Sequence, residues 1–160
     1  MKLSIRKAAS EDSELILSFI KDLAEFEKLS DAVSADTDQI KKTLFSENPA
    51  AEVLIAEKDS EAAGFALYFF NYSTFLAKRG LYLEDLFVKP EYRGLGIGKA
   101  LLASVAKEAV RNNCGRMEWS VLEWNPAREF YEYLGAKPLD EWLVYRISGE
   151  KLFNLAENCL

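Results

Sequence analysis

The chain has 160 residues, 49% of them hydrophobic and only four of them proline, enough for one substantial core and hardly two, so a single domain over residues 1–160 is expected. Its net charge of −6 comes without any long basic run, which excludes the clustered Lys and Arg that nucleic-acid phosphates require. Cationic or zwitterionic small molecules suit such a surface better.

Residues 1–9 alternate charged and apolar side chains, unlike the apolar stretch of a secretory leader, and no apolar run reaches membrane-spanning length. A cytoplasmic protein with no membrane partner is therefore expected. Cys114 and Cys159 are far apart, and without a single histidine they make neither a Cys/His metal cluster nor a disulfide framework. No metal is expected.

In chain order, Leu3 and Ile5 alternate as in a strand, and Ser10 followed by Glu11 and Asp12 reads as an N-cap with first-turn acids. Leu15, Ile16, Phe19, Ile20, Leu23 and Phe26 then recur at helical spacing down to about Glu27. A second helix has Asp36 or Thr37 as cap and Ile40, Leu44 and Phe45 on its apolar face, ending near Asn48-Pro49. Residues 53–56 and 64–72 are apolar and aromatic, separated by the charged turn Lys58-Asp59-Ser60-Glu61, which reads as a hairpin. Residues 80–88 form the next strand. Ile97, Leu101, Val105 and Ala109 place a helix over 97–111, and residues 117–122 return to strand. A short helix over 127–134 closed by Gly135, then a strand over 142–147, complete the order βααβββαβαβ in one α/β domain.

The stretch that carries chemistry is the strand ending Glu84-Asp85-Leu86-Phe87-Val88, the connection Lys89-Pro90-Glu91-Tyr92, and Arg93-Gly94-Leu95-Gly96-Ile97-Gly98-Lys99 opening a helix. Glycines there let the backbone approach a ligand, and a helix start offers N–H groups without partners and a positive dipole end, to which a phosphate is the natural complement. The spacing Gly-x-Gly-x-Gly fits neither the dinucleotide fingerprint nor the Walker loop. The same glycines would also serve tight packing of a loop on a sheet.

Arg-x-x-Gly-x-Gly after an apolar strand and before an amphipathic helix resembles the acyl-CoA pyrophosphate loop of the GNAT N-acetyltransferase superfamily. A second element, Trp124-Asn125-Pro126 followed by a short helix bearing Phe130, Tyr131 and Leu134-Gly135, is similar to that family's later strand–Asn–helix segment, although those side chains also read as ordinary core contacts. Residues 24–31, 72–75, 81–88 and 124–125 look like the diamine N-acetyltransferase branch (spermidine/spermine and thialysine). Spermidine enzymes carry Asp-Pro-Trp after the tyrosine, where this chain has Ser73-Thr74-Phe75, and the Asn125-to-Tyr131 interval is one residue shorter than in animal members.

The resemblance implies a mixed, mostly antiparallel central sheet flanked by helices, acetyl-CoA as co-substrate, a small-molecule amine as acceptor, and a homodimer. It places the coenzyme on Leu86, Phe87 and Val88, on the N–H groups from Arg93 through Gly94, Leu95, Gly96, Ile97 and Gly98 to Lys99, and beside Asn125. It places the amine at Phe26, Glu27 and Glu84, with Glu141 a further acid. Tyr72 and Phe75 are expected beside Phe26 in the acceptor cleft.

A lysine-like ammonium of pKa about 10.4 is neutral about once in 2,500 molecules at pH 7, a cost of roughly 4.6 kcal/mol. Glu84 and Asp85 are the acids at hand, expected on opposite faces of their strand, and Glu84 is assigned to bind the ammonium and pass its proton on. Tyr131 is the candidate donor to the leaving thiolate. Cys114, with no histidine to activate it, reads as structural, so direct attack in a ternary complex is expected rather than a covalent acyl-enzyme. Alternative readings are a polyamine acetyltransferase, an enzyme for protein amines or aminoglycosides, and a non-catalytic acyl-CoA-binding regulator.

Overall fold

The structure, a computed structural model, describes residues 2–158; Cys159 lies outside them. The chain packs as two compact units divided after Ser120.

The first unit is built on a five-stranded sheet in the order β1 (Leu3–Lys7), β2 (Glu52–Lys58), β3 (Glu61–Ser73), β4 (Lys78–Val88), β5 (Arg116–Glu118). The first three pairings are antiparallel and β4–β5 is parallel, the mixed, mostly antiparallel α/β sheet expected. Four consecutive residues of β2, Val53 to Ala56, are buried, because both faces of the sheet are covered. α1 (Ser13–Phe26) and α2 (Thr37–Leu44) bring Ile16, Phe19 and Ile40 onto Val53, Ile55, Phe65 and Phe87. α3 (Ile97–Arg111) packs on β2, β3 and β4 through Leu101, Leu102 and Val105, as a β4–α3–β5 crossover requires.

Phe19 organises the α1 layer: fully buried, it stacks on Phe65 at 5.1 Å and meets Phe87 edge-on at 6.4 Å. Burying such a side chain contributes about 2–3 kcal/mol. The helix begins later than the Ser10 cap implies. Residues Ser10–Asp12 form a single 3-10 turn, and Asp12 closes it by accepting the Ala9 N–H at 2.7 Å while pairing with Arg6 at 2.7 Å. A charged acceptor bonded twice outcompetes a serine hydroxyl. At the other end Lys28 takes a left-handed φ of 59°, and the Leu29 N–H bonds Ala24 O at 2.8 Å, which stops the helix and fixes Phe26 and Glu27 in its last turn.

Asp36, as anticipated, caps α2: it accepts the Gln39 N–H at 2.8 Å, and Gln39 returns a bond from the Asp36 N–H at 2.9 Å. Asp59 and Ser60 both have positive φ, 51° and 74°, the signature of a two-residue hairpin turn whose twist matches its strands. β5 is shorter than the 117–122 expected. It pairs only with Gly80–Tyr82, because β4 changes course immediately beyond, as described below.

The second unit holds α4 (Ala127–Tyr133) and α5 (Glu150–Glu157). The strand expected over 142–147 is not formed: these residues join no ladder among the described residues, and Trp142 to Tyr145 are at least 76% exposed. Their run Trp-Leu-Val-Tyr lacks the alternation that would give a strand one buried face. α5 follows Gly149, whose φ of 60° sets the turn into it.

Candidate active site

The strand that leads to the glycine loop contains a β-bulge. Asp85 pairs with Leu67 but Leu83 pairs with the next residue, Tyr68, so Glu84 has no partner on β3. Neighbouring residues of β3 face opposite sides, so Leu83 and Asp85, only two apart, also face opposite sides. Glu84 is the extra residue at this break, next to Asp85, which lies on the α1 side with Leu67 and Phe87. The regular alternation behind the expectation that Glu84 and Asp85 leave the strand on opposite faces is broken at Glu84, and the Glu84 charge acts on the Asp85 carboxyl.

Asp85 is the residue whose importance sequence reasoning missed. It is largely buried, and its carboxyl is pushed up to about 6, first by desolvation and then by the negative charges of Glu84 and Glu27. Three acids from β4 and the end of α1 thus share one field, and burial also raises the Glu27 carboxyl. A signal was present: two polar residues, Glu84 and Asp85, interrupt the apolar run of β4, so that Leu83 and Leu86 are three apart, a spacing that a bulge leaves. Phe26, expected at the amine site, is half-buried, packed on the core and against Arg93. Tyr72 and Phe75, expected beside Phe26, are 60% and 97% exposed, near the tip of the β3–β4 hairpin.

Beyond Val88, Pro90–Tyr92 makes one 3-10 turn and the chain enters the loop. Gly94 and Gly96 have φ of 76° and 78°, and a Cβ at either would meet nothing within 4 Å. These glycines serve a left-handed backbone beside open space, not tight packing. Gly98 has ordinary φ, and its Cβ would make normal contact with Val88 at 3.8 Å. Ala100 is the first residue to bond back, to Gly96 O at 3.0 Å, so the N–H groups of Ile97, Gly98 and Lys99 have no intrahelical acceptor. Arg93 does not extend this cradle as expected: its N–H bonds Pro90 O at 3.2 Å and its Nε donates to Val88 O at 3.0 Å.

The Lys89 N–H bonds Ala63 O at 2.9 Å, on the β3 side. By alternation the backbone groups of Leu86 and Val88 point to the opposite edge, where β5 ends its pairing at Tyr82. Phe87 instead turns its ring into the α1 core. That edge suits an extended, amide-bearing ligand added as a strand.

In the second unit, Asn125 Oδ1 accepts the Ala127 N–H at 2.9 Å and so sets the start of α4. Tyr131 is half-buried in that helix, its ring 5.5 Å from Phe130, whereas Tyr133 is 83% exposed. Glu141 is exposed in a turn closed by the Trp142 N–H to Leu139 O. In the first unit, burial pushes the Cys114 thiol up, away from the thiolate that nucleophilic chemistry needs.

A glycine loop on a helix start, a strand edge beyond the end of β5 and a largely buried Asp85 carboxyl near two further acids are features an acyl-transfer site would use. Residues 17–136 match the family model described as acetyltransferase (GNAT) family. The chain belongs to the GNAT acetyltransferases. It is 41% identical to a thialysine N-epsilon-acetyltransferase of Sus scrofa, over 95% of this chain and 96% of the relative. It is 47% identical to an L-ornithine N5-acetyltransferase of Arabidopsis thaliana, over 66% of this chain and 48% of that one. Among solved structures, an integron cassette protein from the mobile metagenome of V. cholerae superposes with a TM-score of 0.82 over 99% of both chains, at 29% identity. This acetyltransferase acts on an amine, with the acetyl-CoA donor that its family uses.

Proposed function

We propose that this acetyltransferase moves the acetyl group of acetyl-CoA to the terminal amine of a lysine-like amino acid such as thialysine, in the cytoplasm, in preference to spermidine. The observation that carries the reading is the largely buried Asp85 carboxyl, raised by desolvation and then by the charges of Glu84 and Glu27. A single acid cluster matches one terminal ammonium, whereas a polyamine needs acids spaced along a cleft. The relatives named for thialysine and ornithine, both amino acids with a side-chain amine, support the same reading.

We assign the pyrophosphate to the N–H groups of Gly94 to Lys99, which the open space over Gly94 and Gly96 accommodates. The pantetheine arm runs along the backbone edge of Leu86 and Val88, and Asn125 orients the segment that bears Tyr131. The bound donor supplies an acetyl thioester. Glu84 and Glu27 bind the ammonium, and Asp85, its carboxyl at about 6, accepts the proton better than an unperturbed acid would. Phe26 excludes water from one side. Tyr131 donates a hydrogen bond or its proton to the sulfur as the C–S bond breaks. That transfer is uphill by roughly 2 kcal/mol from a phenol of pKa about 10 to a thiol of pKa about 8.5, tolerable in a dry site. Because the family match spans 17–136, both compact units belong to one catalytic domain in this reading, and its branch leads us to expect a homodimer, which light scattering tests.

The deciding experiment is steady-state comparison of thialysine, ornithine and spermidine with acetyl-CoA, following thiol release. A kcat/KM for thialysine about ten- to a hundredfold above that for spermidine is expected, the value of one charged contact in a partly buried site. A higher value for spermidine overturns the substrate assignment.

A further inference from the structure

Arg93 introduces the glycine loop, but its side chain is committed elsewhere. The guanidinium carbon lies 4.8 Å from the centre of the Phe26 ring and 5.6 Å from that of Phe87. Its Nε donates to Val88 O at 3.0 Å. One side chain thus ties together the last residue of β4, the last residue of α1 and the first residue of the loop. The planar guanidinium does this with its face on the rings and an edge on the carbonyl.

The surroundings make this contact matter. A cavity of about 420 Å3 lies against Phe26, Phe87 and Arg93, with Asp22 and Glu25 of α1 on its wall. Phe26 packs on the core beneath α1, and beside this open groove the Arg93 contact links that end of the helix to the loop. Phe26 immediately precedes Glu27, whose charge reaches Asp85. Whatever fixes Phe26 fixes the position of that acid.

We propose that Arg93 is a positioning residue that couples the coenzyme loop to the amine site, and is not a ligand of the coenzyme's phosphates. An anion on the N–H groups of residues 97–99 fixes the two left-handed glycines. Arg93, anchored to Val88 at the loop's entrance, then holds the last turn of α1 and pre-orders Glu27 for an ammonium. Coenzyme binding therefore raises amine affinity, and by linkage the amine raises coenzyme affinity by the same factor. Two such ring contacts at a half-exposed site correspond to about three- to thirtyfold in that coupling. The inference rests on the acetyltransferase reading of the loop and of the acid cluster.

The test uses the full chain with Arg93→Met, which keeps the aliphatic stem, Arg93→Lys, which keeps the charge, and Phe26→Leu, which removes the ring. Calorimetry gives coenzyme A affinity, steady-state kinetics gives amine KM apart from kcat, and amide hydrogen exchange follows residues 23–29 with and without coenzyme A. Arg93→Met is expected to bind coenzyme A within about threefold of the parent, to raise amine KM about three- to thirtyfold, and to lose the coenzyme-induced protection of residues 23–29. Phe26→Leu should reproduce this with Arg93 intact, the double variant should be no worse than either single one, and Arg93→Lys should recover part of it. A tenfold or greater loss of coenzyme A affinity in Arg93→Met, with protection of residues 23–29 unchanged, makes Arg93 a phosphate ligand and overturns the proposal. Failure of the parent chain to bind coenzyme A removes the acetyltransferase reading itself, an outcome distinct from loss of coupling in a chain that binds.

Discussion

Ser73 accepts the backbone N–H of Leu76 through its hydroxyl at 3.3 Å and is only 3% exposed. It stands where spermidine acetyltransferases of this branch carry an aspartate, and reading the sequence alone would make Ser73→Asp the way to move preference toward polyamines. The structure assigns Ser73 to closing the β3–β4 hairpin from inside. Ser73→Asp is therefore expected to bury a carboxylate and destabilise the protein by about 2 kcal/mol or more, without improving kcat/KM for spermidine. Thermal unfolding and amine kinetics on the variant check both halves; an unchanged melting temperature with improved spermidine turnover would show that the side chain reaches the acceptor.

Asp85 gives a prediction in pH. With its carboxyl raised from 3.8 to about 6, the group must be deprotonated to accept a proton, so kcat/KM should fall below about pH 6. Asp85→Asn should remove that limb and lower turnover at pH 7.5. The stability effect runs the other way. A raised carboxyl binds its proton more tightly in the folded state, so its contribution to stability is fully present below about 3.8 and is lost as pH rises through about 6. Asp85→Asn is spared this loss and should be more stable than the parent at pH 7.5, by an amount on the order of 1–3 kcal/mol, with the difference closing toward pH 4. Melting curves across that range, alongside pH–rate profiles, provide the check.

Gly96 sits at φ 78° with nothing within 4 Å of where a Cβ would be. A side chain there meets no clash but costs about 1–2 kcal/mol in backbone strain and projects into the space proposed for the pyrophosphate. Gly96→Val should keep a cooperative fold with a melting temperature lower by several degrees while losing measurable coenzyme A affinity. Parental affinity by calorimetry would remove the loop from the binding site.

Tyr131→Phe should lower kcat by about a hundredfold with coenzyme A affinity unchanged, because the phenol acts only as the thiolate develops. Tyr133, two positions on and 83% exposed, supplies the control: Tyr133→Phe should leave turnover as it is. The reverse pattern would transfer the role to Tyr133.

The sequence made the helices of the first unit legible because each presents an apolar stripe with a period near 3.6. α3 even runs from Ile97 to Arg111 as its spacing predicts. The glycine loop was legible for a similarly local reason, since glycine takes positive φ without the strain other residues incur. What escaped was non-local. Asp12 replaces Ser10 at the entrance to α1 because Arg6 of β1 and the Ala9 N–H converge on it. The break in alternation at Glu84 depends on a register offset against β3 that no window within β4 fixes alone. Residues 142–147 show the opposite failure, an apolar run that satisfies β-propensity but joins no ladder among the described residues.

Glu84 is the one residue of β4 that finds no opposite number on β3. Without it, the Leu83–Tyr68 and Asp85–Leu67 pairs would become adjacent rungs of a regular antiparallel ladder, and every later side chain of β4 would keep the face it now has. Folding alone gives no reason for the extra position. A chain lacking Glu84 should assemble the same sheet, flatter and at least as stable, yet be inactive, since the insertion both adds a carboxylate and turns the strand beside the place where β5 lets go of it. Length here is a variable in its own right: the strand is one residue too long for its template, and that surplus residue carries a carboxylate beside Asp85.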